Sequence, residues 1–172
     1  MKTCCCTGHR PKGFPFEYEK EIWKHMKYLF GLTKRIITII EGYGITEFIS
    51  GMALGADMDF AETVIGLREW KYPNIKLECA LPCRNQTLKW EQRDKKKYDK
   101  ILSEADIVTL VSEEYSRDCM MKRNKYMVDK SDLVLAIYNG KERGGTWNTM
   151  KYAEKKGVKT EWLYLPLFDD LL

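Results

Sequence analysis

A chain of 172 residues, 44% hydrophobic and 31% charged, has the length and balance of one globular domain with a sizeable core, expected here over residues 1–172. Its net charge of +4 is too mild to demand a polynucleotide partner. The longest apolar runs fall short of a membrane span and no apolar leader opens the sequence, so a cytoplasmic protein with no membrane partner is expected.

The first apolar run, residues 2–7 (KTCCCT), reads as a buried strand. Its three consecutive cysteines, Cys4, Cys5 and Cys6, should alternate between sheet faces. Gly8-His9-Arg10-Pro11 follows. A helix is expected over about Glu17–Glu41, with Ile22, Met26, Leu29, Ile36, Ile37 and Ile40 near a 3.6-residue period and Gly42 and Gly44 as stop signals. His25 lies in it among lysines and reads as solvated. A strand over 45–50 (ITEFIS) passes through Ser50-Gly51 and Gly55-Ala56-Asp57 into a helix over about Ala56–Lys71. A strand over 75–81 leads to Pro82-Cys83-Arg84-Asn85-Gln86 and a helix over about Gln92–Ala105, where Lys95-Lys96-Lys97 reads as a solvated face. A strand over 106–111 and a helix over about Asp118–Lys130 come next. The last units are a strand over 132–138 (DLVLAIY), the turn Asn139-Gly140 to Gly144-Gly145-Thr146, a helix over about Thr146–Lys156 stopped by Gly157, and a strand over 159–165.

Most of these strands are apolar almost throughout, as they are when both faces of a parallel sheet are covered. Strand–helix alternation then gives the fold class: α/β, a three-layer Rossmann-like sandwich with a mainly parallel sheet of about six strands. Cys79 and Cys83 flank Pro82 without a nearby histidine, and neither cysteine group has zinc-site spacing. No metal is expected, and the cysteines read as small buried hydrophobes of a reducing compartment.

Ligands of such sheets bind beyond the carboxyl ends of the strands, where the glycines and small polar residues of this chain collect. Ser50, Gly51 and Gly55 could serve a tight turn or give a phosphate close access to helix N–H groups, with Asp57 complementing the helix dipole. Gly144, Gly145 and Thr146 could present consecutive N–H groups and a hydroxyl to an anion, or simply cap a helix. Neither cluster has the spacing of a dinucleotide fingerprint or a Walker motif. Arg123 has a surface ion pair as one reading and a clamp on phosphate, or on a carboxylate that orients it, as the other. His9 could be a loop residue or an acid/base group. Trp90 and Gln86 could cover a base or cap the core.

Taken together, "TGHRP", "SGMALGAD", "RNKYMVDKSDLVLAIYNG" and "GGTWNTMKYA" resemble the SLOG superfamily, which includes the Rossmann domain of DNA-processing protein A and the Lonely-guy phosphoribohydrolases. The resemblance runs from Thr7 to about Gly157. It implies a commonly dimeric Rossmann-like protein whose glycine-rich loops hold a nucleotide or nucleotide derivative. Arg123 matches the arginine of the Lonely-guy Arg-Lys pair, Asn124 replaces the lysine, and Thr149 stands where the catalytic glutamate would be. On this basis the chain is expected to be a nucleotide-binding sensor or regulator, with no required cofactor and no assigned catalytic residue. Phosphate falls to Gly51, Gly55, Gly144, Gly145, Thr146 and Arg123, while His9, Arg10, Asn124, Asn139 and Asn148 fall to sugar or base. Gly8, Ser50 and Asp57 complete the expected site. The alternatives are an N-glycosidic-bond hydrolase, with His9 or Asp57 in place of the glutamate, and a single-stranded DNA-binding module.

Overall fold

The computed structural model describes residues 1–169, so the last three positions of the expected domain lie outside the described residues. Six strands form one sheet: β1 (Lys2–Gly8), β2 (Ile45–Ser50), β3 (Lys76–Leu81), β4 (Ile107–Leu110), β5 (Leu133–Tyr138) and β6 (Lys159–Tyr164). Five helices connect them in turn: α1 (Ile22–Tyr43), α2 (Ala56–Trp70), α3 (Gln92–Glu104), α4 (Cys119–Asp129) and α5 (Gly144–Lys156). The strand order is β4-β3-β2-β1-β5-β6 and every neighbouring pair is parallel. This is the expected Rossmann-like α/β sandwich, with the mainly parallel sheet in fact wholly parallel.

The cysteine run shows how the layers form. Cys4 and Cys6 belong to the core that includes Tyr28, Leu32, Phe60 and Ile101 from α1, α2 and α3. Cys5 packs on the other face with Met127, Val128 and Ala153 from α4 and α5. All six cysteines are buried free thiols, and burial pushes the Cys5 and Cys79 thiols up to about 12. They pack as small hydrophobes. No helix among the described residues is long and apolar enough to cross a membrane.

The largest departure from expectation is at α1. It begins at Ile22, not Glu17, and buries Tyr28, Leu32, Ile36 and Ile39, while Ile22 and Met26 stand exposed. The reason is the aromatic segment before it. Phe14 packs edge-on against Phe16, Tyr18 and Tyr28, so residues 14–18 cover the helix start instead of extending it. His25 is not solvated: it lies against Tyr18 at a ring separation of 4.2 Å and faces the Asp59 carboxylate at 3.8 Å.

Candidate functional site

The chain lays down β2, β3 and β4 on one side of β1 and then returns to place β5 on the other. The strand order therefore reverses between β1 and β5, and a crevice opens at their carboxyl ends. A cavity of about 260 Å³ occupies it. Gly8, His9 and Arg10 enter from the end of β1, Ala53 and Asp57 from the β2–α2 junction, Met120, Arg123 and Asn124 from α4, and Gly145 and Thr146 from α5.

Arg123 and Asp57 meet within this wall. Both are buried, and Arg123 Nη1 donates to Asp57 Oδ2 at 3.1 Å. The ion pair is neither of the surface nor free. Gly51 explains how the guanidinium fits: a Cβ built there would lie 1.4 Å from Arg123 Nη1. The absent side chain is thus replaced by an arginine head group. Arg123 Nε has no partner among the described residues. Burial pushes the Asp57 carboxyl above the usual aspartate range, while the Arg123 guanidinium and the Ala53 N–H pull it back. That outweighs the stabilisation expected of a carboxylate at a helix start.

The loop after β1 is clamped onto the start of α2. Ala56 N–H donates to His9 O at 3.1 Å. Gly55 has a φ of +89°, and a Cβ on it would sit 2.7 Å from the same carbonyl, so close approach and backbone conformation both demand glycine. Ser50 Oγ donates to Asp57 O at 2.7 Å and accepts from Met52 N–H at 3.2 Å. Met52 itself adopts a φ of 57°, unusual for a residue with a side chain, and its carbonyl accepts from Gln86 Nε2. Asn139 Nδ2 donates to Gly13 O, tying the β5 end to the loop after β1. Burial holds the His9 imidazole below its ordinary pKa, with Lys141 adding to the effect, and His9 Nε2 is buried without a partner among the described residues.

The opposite wall is the start of α5. Gly144 has a φ of +87°, and no atom stands within 4 Å of a Cβ built on Gly144 or Gly145. The first turn of α5 is therefore open, with Gly145 and Thr146 on the cavity. Behind it, Asn124 Nδ2 donates to Thr149 Oγ1 at 2.8 Å, and Thr149 Oγ1 donates to Gly145 O at 2.8 Å. The two positions that depart from the Lonely-guy pattern touch each other and form one neutral hydrogen-bonded pair.

Of the residues singled out from sequence, the fold brings Gly8, His9, Arg10, Asp57, Arg123, Asn124, Gly145 and Thr146 onto one cavity. Ser50, Gly51, Gly55 and Asn139 sit behind its wall and hold the loops in place. Gly144 precedes the lining residues, and Asn148 is exposed on α5. Trp90 packs edge-on against Tyr98 and supports the core. Sequence reasoning missed Cys6 and Thr7, which read as strand residues, and Ala53 and Met120, which carry no chemical signal of their own. Among the described residues, no group of three or more His, Cys, Asp or Glu side chains converges as a metal site would.

Comparison with known proteins agrees with this architecture. The chain is 32% identical over 157 residues to a UPF0398 protein of Bacillus pumilus, covering 90% of this chain and 82% of that one. It is 34% identical over 140 residues to the SPbeta prophage-derived protein YoqJ of Bacillus subtilis, covering 72% and 81%. Among solved structures it shares its fold with DNA processing protein A from Helicobacter pylori, described for its single-stranded DNA binding mode. The TM-score is 0.61 at 16% identity, over 94% of this chain but 64% of that chain. The family model of the YspA SLOG family matches residues 4–167, and the chain belongs to that family.

Proposed function

We propose that the protein binds a nucleotide or nucleotide derivative at the crevice between β1 and β5 and acts as a sensor or regulator. The observation that carries this reading is the open first turn of α5 facing a cavity lined by His9, Arg10 and Arg123 at the point where the strand order reverses. Free N–H groups at a helix start attract an anion, and ligands of open parallel sheets bind at such a reversal. Because Asp57 neutralises Arg123, the net positive charge for a phosphate comes from Arg10, from Lys141 beside His9 and from the α5 dipole.

The same walls argue against hydrolysis. Cleaving an N-glycosidic bond needs an ionisable group against the leaving base or the attacking water, and such groups contribute roughly 10²–10⁴ in rate. The Asn124–Thr149 pair is neutral and cannot supply one, and of the ionisable side chains on the cavity Asp57 is held by Arg123 while burial disfavours the charged form of His9. Wild-type protein should release no free base from adenosine or cytidine monophosphate. Thr149→Glu alone should not install the activity, because it would aim a buried carboxylate at the Gly145 carbonyl. Base release by the wild type, followed by chromatography, would revive the hydrolase reading.

A second reading, single-stranded DNA binding, is supported by the fold shared with DNA processing protein A. The two separate in solution. Calorimetry with adenosine monophosphate and ADP-ribose should show saturable binding that survives moderate salt. Affinity confined to oligonucleotides and falling steeply with salt would favour the second reading. Absence of binding to all of these by folded protein would reject both.

A further inference from the structure

On the far side of α5 from the small cavity lies a larger cleft of about 690 Å³, walled by Tyr138, Trp147, Trp162 and Tyr164. Its origin is topological. β6 is the edge strand, and among the described residues no further strand pairs beyond it, so Trp162 and Tyr164, two residues apart and hence on one face, stay half-open at 50% and 41% exposure. Tyr138, at the end of β5, forms the corner. Trp147 lies nearly parallel to it, at 19° and 6.1 Å, and Trp162 stands edge-on, at 68° and 5.7 Å. The Tyr138 side chain is buried at 4% exposure, and its hydroxyl has no partner among the described residues.

We propose that this cleft is a nucleobase subsite, continuous with the phosphate-binding start of α5; the inference rests on the nucleotide reading above. Two observations point to a planar heteroaromatic ring. The recess has the volume of a small-molecule pocket. Its aromatic faces meet at an angle, which suits one ring stacked on another and met at its edge by a third. The position fits as well. Thr146 lines the small cavity and Trp147 lines the cleft, so the two recesses flank the first turn of α5. Space is open around the Gly144 and Gly145 Cβ positions on that turn. His9, on the small cavity, stacks on Tyr138 at 6.2 Å and joins the two walls from below.

A second copy of the chain is the competing occupant. Two half-exposed rings fall well short of the roughly 800 Å² per partner that a stable interface buries, which favours the base.

The test is a calorimetric comparison of ribose 5-phosphate, adenosine, adenosine monophosphate and a short single-stranded oligoadenylate on wild type, Trp162→Ala and Trp162→Phe. Trp162 is half-exposed, so the variants should fold, and circular dichroism checks this. Wild type should bind the monophosphate at least about tenfold more tightly than ribose 5-phosphate, the size of one base–aromatic stack. Trp162→Ala should erase that ratio without changing ribose 5-phosphate affinity, and Trp162→Phe should restore most of it. The same Trp162 dependence confined to the oligoadenylate would keep the base subsite and assign its ligand to a polynucleotide. Trp162-dependent binding of adenosine with no gain from its phosphate would keep the subsite and reject the phosphate site. Monophosphate affinity unchanged by Trp162→Ala would overturn the subsite while leaving the nucleotide reading intact. A wild-type dimer that Trp162→Ala splits in sedimentation, or no binding of any probe, would also overturn it.

Discussion

At the scale of single residues, the glycines divide into two kinds, and substitution should tell them apart. Gly51 faces the Arg123 guanidinium, so Gly51→Ala must expel a buried ion-pair partner and should cost about 3 kcal/mol, as overpacking typically does. Gly145 faces open space, so Gly145→Val should leave the melting temperature nearly unchanged and weaken nucleotide binding. Arg123→Ala strands Asp57 in the wall and should cost about 3–5 kcal/mol in denaturant unfolding. With the arginine gone, the remaining close neighbour of that Cβ is Asp57 Oδ2 at 2.8 Å, so Gly51→Ala should then cost clearly less than in the wild type, a coupling that a double-mutant cycle reads directly. Additive effects would show that the two residues do not share this space.

His9 sets a pH signature. Its pKa in the folded state is held below the ordinary 6.5, mainly by burial. As pH falls through 6.5 the unfolded chain takes up the proton before the folded one, so stability declines with acidity until the folded pKa is passed. The melting temperature of His9→Gln minus that of wild type should therefore be constant above pH 7.5 and rise between pH 6.5 and 5. A difference that stays flat across this range would show that the imidazole titrates freely in the fold. The residue scale was only half legible in the sequence. Glycine clusters announced the sheet edge, but what each glycine faces depends on a partner such as Arg123, which arrives from a distant helix.

At the scale of elements, strands were the most legible: burial on both faces leaves apolar runs in the inner strands, and the more exposed edge strands β4 and β6 also lie where strands are expected. The start of α1 was not. Phe14, Phe16 and Tyr18 have no helical spacing, and only their docking against Tyr28 shows why the helix begins at Ile22. This segment is also pinned to α2, since Tyr18 Oη donates at 2.6 Å to the buried Asp59 carboxylate, which Lys97 approaches at 3.5 Å. Tyr18→Phe should cost about 1–3 kcal/mol, the penalty of leaving a buried acceptor short of a partner. Thermal denaturation checks it, and an unchanged melting temperature would mean that the loop does not brace α2. The aromatic cleft was equally hidden: Trp162 and Tyr164 read as ordinary strand residues until the strand order made β6 an edge.

At the scale of the whole molecule, one parallel sheet gathers the ends of β1 and β5 and the starts of α2, α4 and α5 at one edge, and the small cavity lies where the strand order reverses. The modest net charge of +4 predicts that mononucleotide binding has a shallow salt dependence, because few counterions are displaced. The central claim is that this edge, and no other surface, holds a nucleotide phosphate. Its most direct test is a heteronuclear NMR titration of the isotope-labelled protein with adenosine monophosphate, following backbone amides. The largest shifts should fall on Gly8, His9, Arg10, Asn124, Gly145 and Thr146, should saturate, and should be lost in Gly145→Val. Saturable shifts centred elsewhere, or a spectrum of folded protein that does not move at all, would contradict the account.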